Sequence, residues 1–176
     1  MPDLWRALLF FSMLLLMAIV AASCGVECSS RSPRYGACIV DVAPRLEPVR
    51  GADVDAAIDA VILAGEWRHS RRLLRELARM APPTVRVAKD IIRDERSGAL
   101  FAGLFFPPSD VLLSWPDGSC VWATAAAHEL THWLSDVDDL RYDPEHERDE
   151  LWASGGVVER ADLELDAYCA AMVPHD

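Results

Sequence analysis

Basic charge is scarce in this chain: 17 Lys and Arg stand against 28 Asp and Glu, a formal net charge of −11 over 176 residues. Nucleic acid repels such a surface unless the few cations are gathered into a patch, and no such patch is present. The densest basic stretch, Arg68, Arg71, Arg72, Arg75 and Arg79, has three- and four-residue spacings and reads as the solvated face of a helix. The expectation is therefore no nucleic-acid partner. Low-complexity tracts and internal repeats are also missing, and 52% of the residues are hydrophobic, which argues against extended disorder. No C-x-x-C spacing occurs, which argues against a zinc site built on four thiolates. The length suits one ordinary domain and is short for two.

What is there begins with a long apolar run. Ala7 to Ser23 is interrupted only by Ser12 and Ser23 and ends at Cys24-Gly25, the pattern of a signal h-region or a membrane span. Ala21-Ala22-Ser23-Cys24 resembles a bacterial lipobox, in which small residues precede a cysteine that is lipidated and becomes the new N-terminus. An uncleaved anchor and an ordinary signal peptide cut near Ala22 are the other readings. All three put the rest of the chain outside the cytoplasm. The lipobox resemblance implies an exported, membrane-anchored lipoprotein, and Gly25, in place of a retaining Asp, implies the periplasmic side of the outer membrane.

Setting Cys24 aside leaves Cys28, Cys38, Cys120 and Cys169, an even number that suits an oxidising compartment and allows three pairings. Cys28 with Cys38 closes a short Gly- and Ser-containing loop, and Cys120 with Cys169 ties two expected helices together, so these are the pairings expected. The organisation is then a signal peptide over 1–23, a Ser-, Pro- and Gly-containing tether with a disulfide loop over 24–50, and a folded domain over 51–176.

Within that domain Asp53-Val54-Asp55 opens an apolar helix that stops near Gly65, and a second helix over Ser70–Met80 places Leu73, Leu74, Leu77 and Met80 on one face before Pro82-Pro83. The period then changes. Thr84–Val87, the apolar run Leu100–Phe106 and Asp110–Trp115 read as short strands, the last ending at Pro116-Asp117-Gly118. Val121–Leu134 lacks Gly and Pro, and it lines up Trp122, Ala126, Leu130 and Trp133 as a buried helix should. The fold class expected is α+β.

That last helix carries His128-Glu129-Leu130-Thr131-His132. Positions i and i+4 share a helix face one turn apart, so two imidazoles can converge on one Zn2+ while Glu129, beside them, can take a proton from an activated water. With this H-E-x-x-H motif the chain resembles the zincin metallopeptidases. The resemblance implies a minimal zincin-like domain with N-terminal helices, a small sheet, the motif helix and a C-terminal helix. It implies His128 and His132 as zinc ligands, Glu129 as the general base, and a peptide or protein as substrate.

A third ligand stays open. Ser135 and Asp138 stand where the metzincin pattern has Gly and His, so Asp138 is a remote candidate. Glu164 lies in Glu164-Leu165-Asp166-Ala167-Tyr168-Cys169-Ala170-Ala171, which resembles the E-x-E-A-x-x-x-A helix of several gluzincins, with Asp166 for the second Glu. It fits a solvated acidic helix face equally well, and Glu159 is a further carboxylate of that segment. His146 follows Asp143-Pro144-Glu145, a turn able to send an imidazole back toward the metal. This segment, with Trp152 after it, resembles small exported bacterial zincin-like lipoproteins with D-P-x-H. The preferred set is His128, His132 and His146, with Glu164 as the alternative.

Between these elements, Asp136, Asp138, Asp139, Asp143, Glu145, Glu147, Asp149 and Glu150 outnumber Arg141 and Arg148. Such carboxylates suit Ca2+, but their spacing matches no EF-hand loop, and a solvated acidic rim favouring basic substrate segments is the simpler reading. The function expected is a zinc-dependent hydrolase, a peptidase. The alternative is a lipid-anchored zinc-binding or structural protein without efficient turnover.

Overall fold

A computed structural model describes residues 27–42, 48–93, 98–116, 120, 122–138, 143 and 145–172. The signal segment and Cys24 lie outside the described residues. In chain order the strands are β1 (Ser30–Arg31), β2 (Cys38–Asp41), β3 (Thr84–Ala88), β4 (Ile92–Arg93), β5 (Leu100–Phe101), β6 (Gly103–Phe106) and β7 (Asp110–Ser114). The helices are α1 (Gly51–Ala64), α2 (Arg71–Met80), α3 (Trp122–Val137), α4 (Asp149–Trp152) and α5 (Val157–Met172). The fold is mixed α+β. No helix among the described residues is long and apolar enough to cross a membrane.

The main sheet has the order β1-β2-β3-β7-β6, with β2, β3 and β7 parallel and the outer strands antiparallel to their neighbours. Because side chains alternate along a strand, the register Ile39↔Val85↔Val111 and Val87↔Leu113 puts one continuous apolar row on one face. Those residues are buried together with Ile58 and Ile62 of α1, Leu74 of α2, Leu130, Trp133 and Leu134 of α3, and Leu165 of α5. Each such side chain contributes roughly 1.5–3 kcal/mol by leaving water. Helix α3 packs on β6 and β7 and on both α1 and α5, so it is the hub of the molecule. Trp115 at the end of β7 stacks on Trp122 at the start of α3, with ring centroids 4.0 Å apart.

Several sequence expectations are refined. The segment read as a tether is partly sheet: β1 and β2 belong to it, and Tyr35, Ala37 and Ile39 are buried in the core. Its turn is held on α1, where Asp55 accepts the Arg34 and Tyr35 N–H groups at 2.7 and 3.2 Å and Asp59 accepts the Tyr35 hydroxyl at 2.6 Å. The polar turn around so short a strand hid its period. Leu100–Phe106, expected as one strand, bends at Ala102, so that β5 pairs with β4 while β6 pairs with β7. In α2 the buried positions are Leu74 and Ala78, whereas Met80 is exposed. Its arginines are partly engaged, Arg75 with Asp59 at 3.3 Å and Arg79 with the Arg34 carbonyl at 3.3 Å.

Both expected disulfides are present: Cys28–Cys38 beside the β1–β2 hairpin and Cys120–Cys169 between the start of α3 and the end of α5. The second spans a sequence separation of 49 residues, so it restricts the unfolded chain strongly. Replacing Cys120 and Cys169 together by Ser should lower the unfolding free energy by roughly 2–5 kcal/mol. Chemical denaturation under non-reducing conditions measures this, and an unchanged midpoint would remove the bond from the account of stability.

Candidate metal centre

Helix α3 is almost wholly buried, and its Ala-rich first half lets the sheet and α5 approach closely. That burial fixes where its polar face lies. His128 is half-buried, His132 is 6% exposed and Glu129 is 7% exposed. The two imidazoles, one turn apart, have ring centroids at 5.1 Å. The third side chain comes from the loop before α4. His146 has φ +56°, a left-handed conformation uncommon for a residue with a Cβ. It brings its Nε2 to 3.2 Å from the Nε2 of His132 and its ring centroid to 4.9 Å from that of His128. One nitrogen from each of His128, His132 and His146 lies within 4.8 Å of the others, and these three histidines can hold a metal ion.

Aromatic rings frame the cluster. Trp152 of α4 has its ring centroid 5.0, 4.4 and 4.5 Å from those of His128, His132 and His146. Phe105 of β6 stacks parallel to His132 at 6.0 Å. In these surroundings burial penalises charge. Burial and the nearby His146 push His128 down to about 4, and burial with both neighbouring imidazoles pushes His132 down to about 4 against the pull of Asp143. Both are thus neutral at pH 7, each with a ring nitrogen lone pair to offer. Burial pushes the Glu129 carboxyl up to about 7.

Glu129 sits against the edge strand because Gly103 has no side chain. A Cβ at Gly103 would stand 2.6 Å from the Glu129 Cγ and 2.9 Å from its Oε1. The carboxylate and the backbone of β6 therefore share one space.

The remaining candidates are elsewhere. Glu164 is exposed and lines a cleft of about 730 Å3 with Arg34, Asp59 and Tyr168, and it is not part of the histidine cluster. Asp138 is fully buried, and its carboxylate accepts the Arg68 and His69 N–H groups at 2.6 and 2.9 Å and meets His69 Nδ1 at 2.7 Å. Glu159 is exposed and accepts from the Ser154 hydroxyl and the Gly155 N–H. Asp143 is buried and accepts the Glu147 and Arg148 N–H groups, both at 3.0 Å, and the Trp152 indole N–H at 2.8 Å. Burial would raise its pKa, but these donors hold it below the ordinary carboxylate value. Among the described residues the acidic loop therefore gathers no Ca2+ cage. Glu145, Glu147 and Asp149 remain exposed around His146 as an acidic rim.

Sequence reasoning pointed to His128, His132 and Glu129 and preferred His146 over Glu164, but it gave no role to Gly103 or Phe105. The glycine inside an otherwise apolar strand run was the available signal, since it marks a close approach. No protein-family model, no curated protein and no solved structure matches this chain.

The contact at Gly103 can be tested by adding the missing atom. Gly103→Ala should cost about 1–3 kcal/mol of stability, the usual range for overpacking. Most of that cost should vanish in a Glu129→Ala background, where the opposing side chain is gone. Denaturation of the four chains of this cycle gives the coupling, and additive effects would mean the two residues do not meet.

Proposed function

We propose that this chain is a zinc-dependent peptidase of zincin type, working outside the cytoplasm. The observation that carries the reading is the convergence of three imidazoles, two of them held neutral by burial, beside a carboxyl tuned to about 7. Two nitrogens bound at 2.0–2.1 Å to a tetrahedral zinc would stand about 3.3 Å apart, and the His132 and His146 Nε2 atoms stand 3.2 Å apart. The donor set fits that ion: three nitrogens, with no further ligand among the described residues, would leave one position for a reactant, as in catalytic rather than structural zinc sites. Zinc, when bound there, would polarise a scissile carbonyl and acidify a water.

The rest falls to the chain. Glu129, once ionised, accepts the proton of the attacking water and returns it to the departing nitrogen. Phe105 and Trp152 lie against the imidazoles and take the place of part of their water, which strengthens electrostatic effects at the buried His132 and Glu129. Among the described residues strand β6 is the last of the main sheet and lies beside Glu129, and a sheet edge is a place where an extended peptide can dock. The acidic rim of Glu145, Glu147 and Asp149 favours basic residues in that peptide. The two disulfides fit an oxidising compartment. A lipid on Cys24 would tether the enzyme to a membrane, and mass spectrometry of the membrane fraction should find an acylated N-terminal cysteine.

Glu129→Gln should keep about one zinc per chain while peptide hydrolysis falls about 10²-fold or more. His146→Ala should lose tight zinc and Glu164→Ala should not, as read by metal analysis. A Glu129→Gln chain that hydrolyses as fast as the parent would leave a metal-binding protein without this catalysis.

The pH profile follows from the sign of one shift. The carboxylate form is the base, so kcat/KM should rise with pH as Glu129 loses its proton. The midpoint should lie at or below about 7, the metal-free value, because a cation nearby favours the ionised form. An acid limb that persists unchanged in Glu129→Gln would assign it to another group.

A further inference from the structure

We infer that Asp143 is a positioning residue for the metal centre, acting through Trp152 and the turn that presents His146. The inference rests on the reading that the three imidazoles hold zinc. His146 has two features that weigh against a preset ligand: its side chain is exposed, and its backbone is left-handed at φ +56°. An exposed loop histidine left alone samples several rotamers, and freezing them on binding weakens affinity.

The structure supplies what holds it. Both oxygens of the buried Asp143 carboxylate are used to close the turn: Oδ1 accepts the Glu147 N–H and Oδ2 the Arg148 N–H, so the bonds straddle His146. The Asp143 carbonyl also accepts the His146 N–H, at 3.4 Å. Oδ2 accepts in addition the indole N–H of Trp152, whose ring lies against all three imidazoles. Trp152 is anchored in turn through its neighbour Leu151, which is 3% exposed in the core. One carboxylate thus ties the backbone carrying the third imidazole to the aromatic ring that backs the whole cluster. Neither side chain is one of the three ligands.

The test uses the full chain with Zn2+ alone, its affinity read by competition with a chromophoric chelator, and Co2+ alone, its coordination read from the visible absorption spectrum. Asp143→Ala should weaken Zn2+ binding about 10- to 100-fold, the range for residues that orient ligands. Its Co2+ spectrum should move toward that of His146→Ala. The deciding comparison is the double variant: the part of the effect that passes through His146 should disappear once His146 is Ala, so Asp143→Ala should cost clearly less affinity there than in the parent. An equal loss of affinity in both backgrounds, as a general loss of structure gives, would overturn the inference. Trp152→Phe, which keeps a ring against the imidazoles and loses the indole donor, should bind Zn2+ more weakly than the parent and more tightly than Trp152→Ala. Equal Zn2+ affinity in the parent, Asp143→Ala and Trp152→Ala would overturn the positioning role and leave the zinc reading standing. A parent chain that binds no Zn2+ would overturn both.

Discussion

The burial of helix α3 is the constraint on which the rest depends. Its contacts with β6, β7, α1 and α5 leave the face carrying His128, Glu129 and His132 turned toward the rings of Phe105 and Trp152. Desolvation there acts on the two kinds of group in opposite directions: imidazoles become weaker bases and the carboxyl a weaker acid. In the metal-free chain both shifts oppose charge, and their effects on stability run opposite ways. The histidines, with folded pKa values below the unfolded ones, add stability as pH rises from about 4 toward 6.5. Glu129, raised to about 7, removes stability as pH rises from about 4.5 to 7. A cation held by the three histidines would relieve the conflict at neutral pH, since neutral imidazoles would bind it without releasing protons and its charge would compensate the buried carboxylate.

The sheet answers a different need. β7 and β3 are paired on both sides and fix the apolar floor under α3, whereas β6, among the described residues, stands at the end of the sheet. Gly103 and Phe105 alternate on the face of β6 that meets α3, one admitting Glu129 and the other stacking on His132.

Much of this was legible in the sequence, and the failures have physical causes. The H-E-x-x-H spacing is local: helix geometry alone puts His128 and His132 on one face. The disulfide pairings were a preference, drawn from which elements the cysteines flank, since four cysteines allow three pairings; the structure has the preferred two. The third histidine was a preference and not a deduction, because its approach depends on a left-handed residue and on Asp143 bonds that no periodicity encodes. The β1–β2 hairpin was read as tether because its buried Tyr35, Ala37 and Ile39 are too few to show a period. Asp55 and Asp59, which hold the turn at Arg34 and Tyr35, lie 20 or more residues away on α1.

Glu164 shows the converse, a residue whose place the sequence does contain. Val157, Ala161, Leu165 and Cys169 recur at intervals of four and form the buried stripe of α5. Glu164, one residue before Leu165, is therefore turned about 100° from that stripe, and it is exposed in the structure. Its resemblance to a ligand helix concerned residue types; the stripe concerned direction, and direction decides whether a side chain reaches an ion. The consequence is electrostatic as well as geometric. Three imidazoles bring no negative charge to the centre, so a bound cation would keep its full charge facing Glu129, where a carboxylate third ligand would have cancelled part of it. The same desolvation that keeps Glu129 protonated up to about 7 without metal would then strengthen the attraction that ionises it once the cation is present.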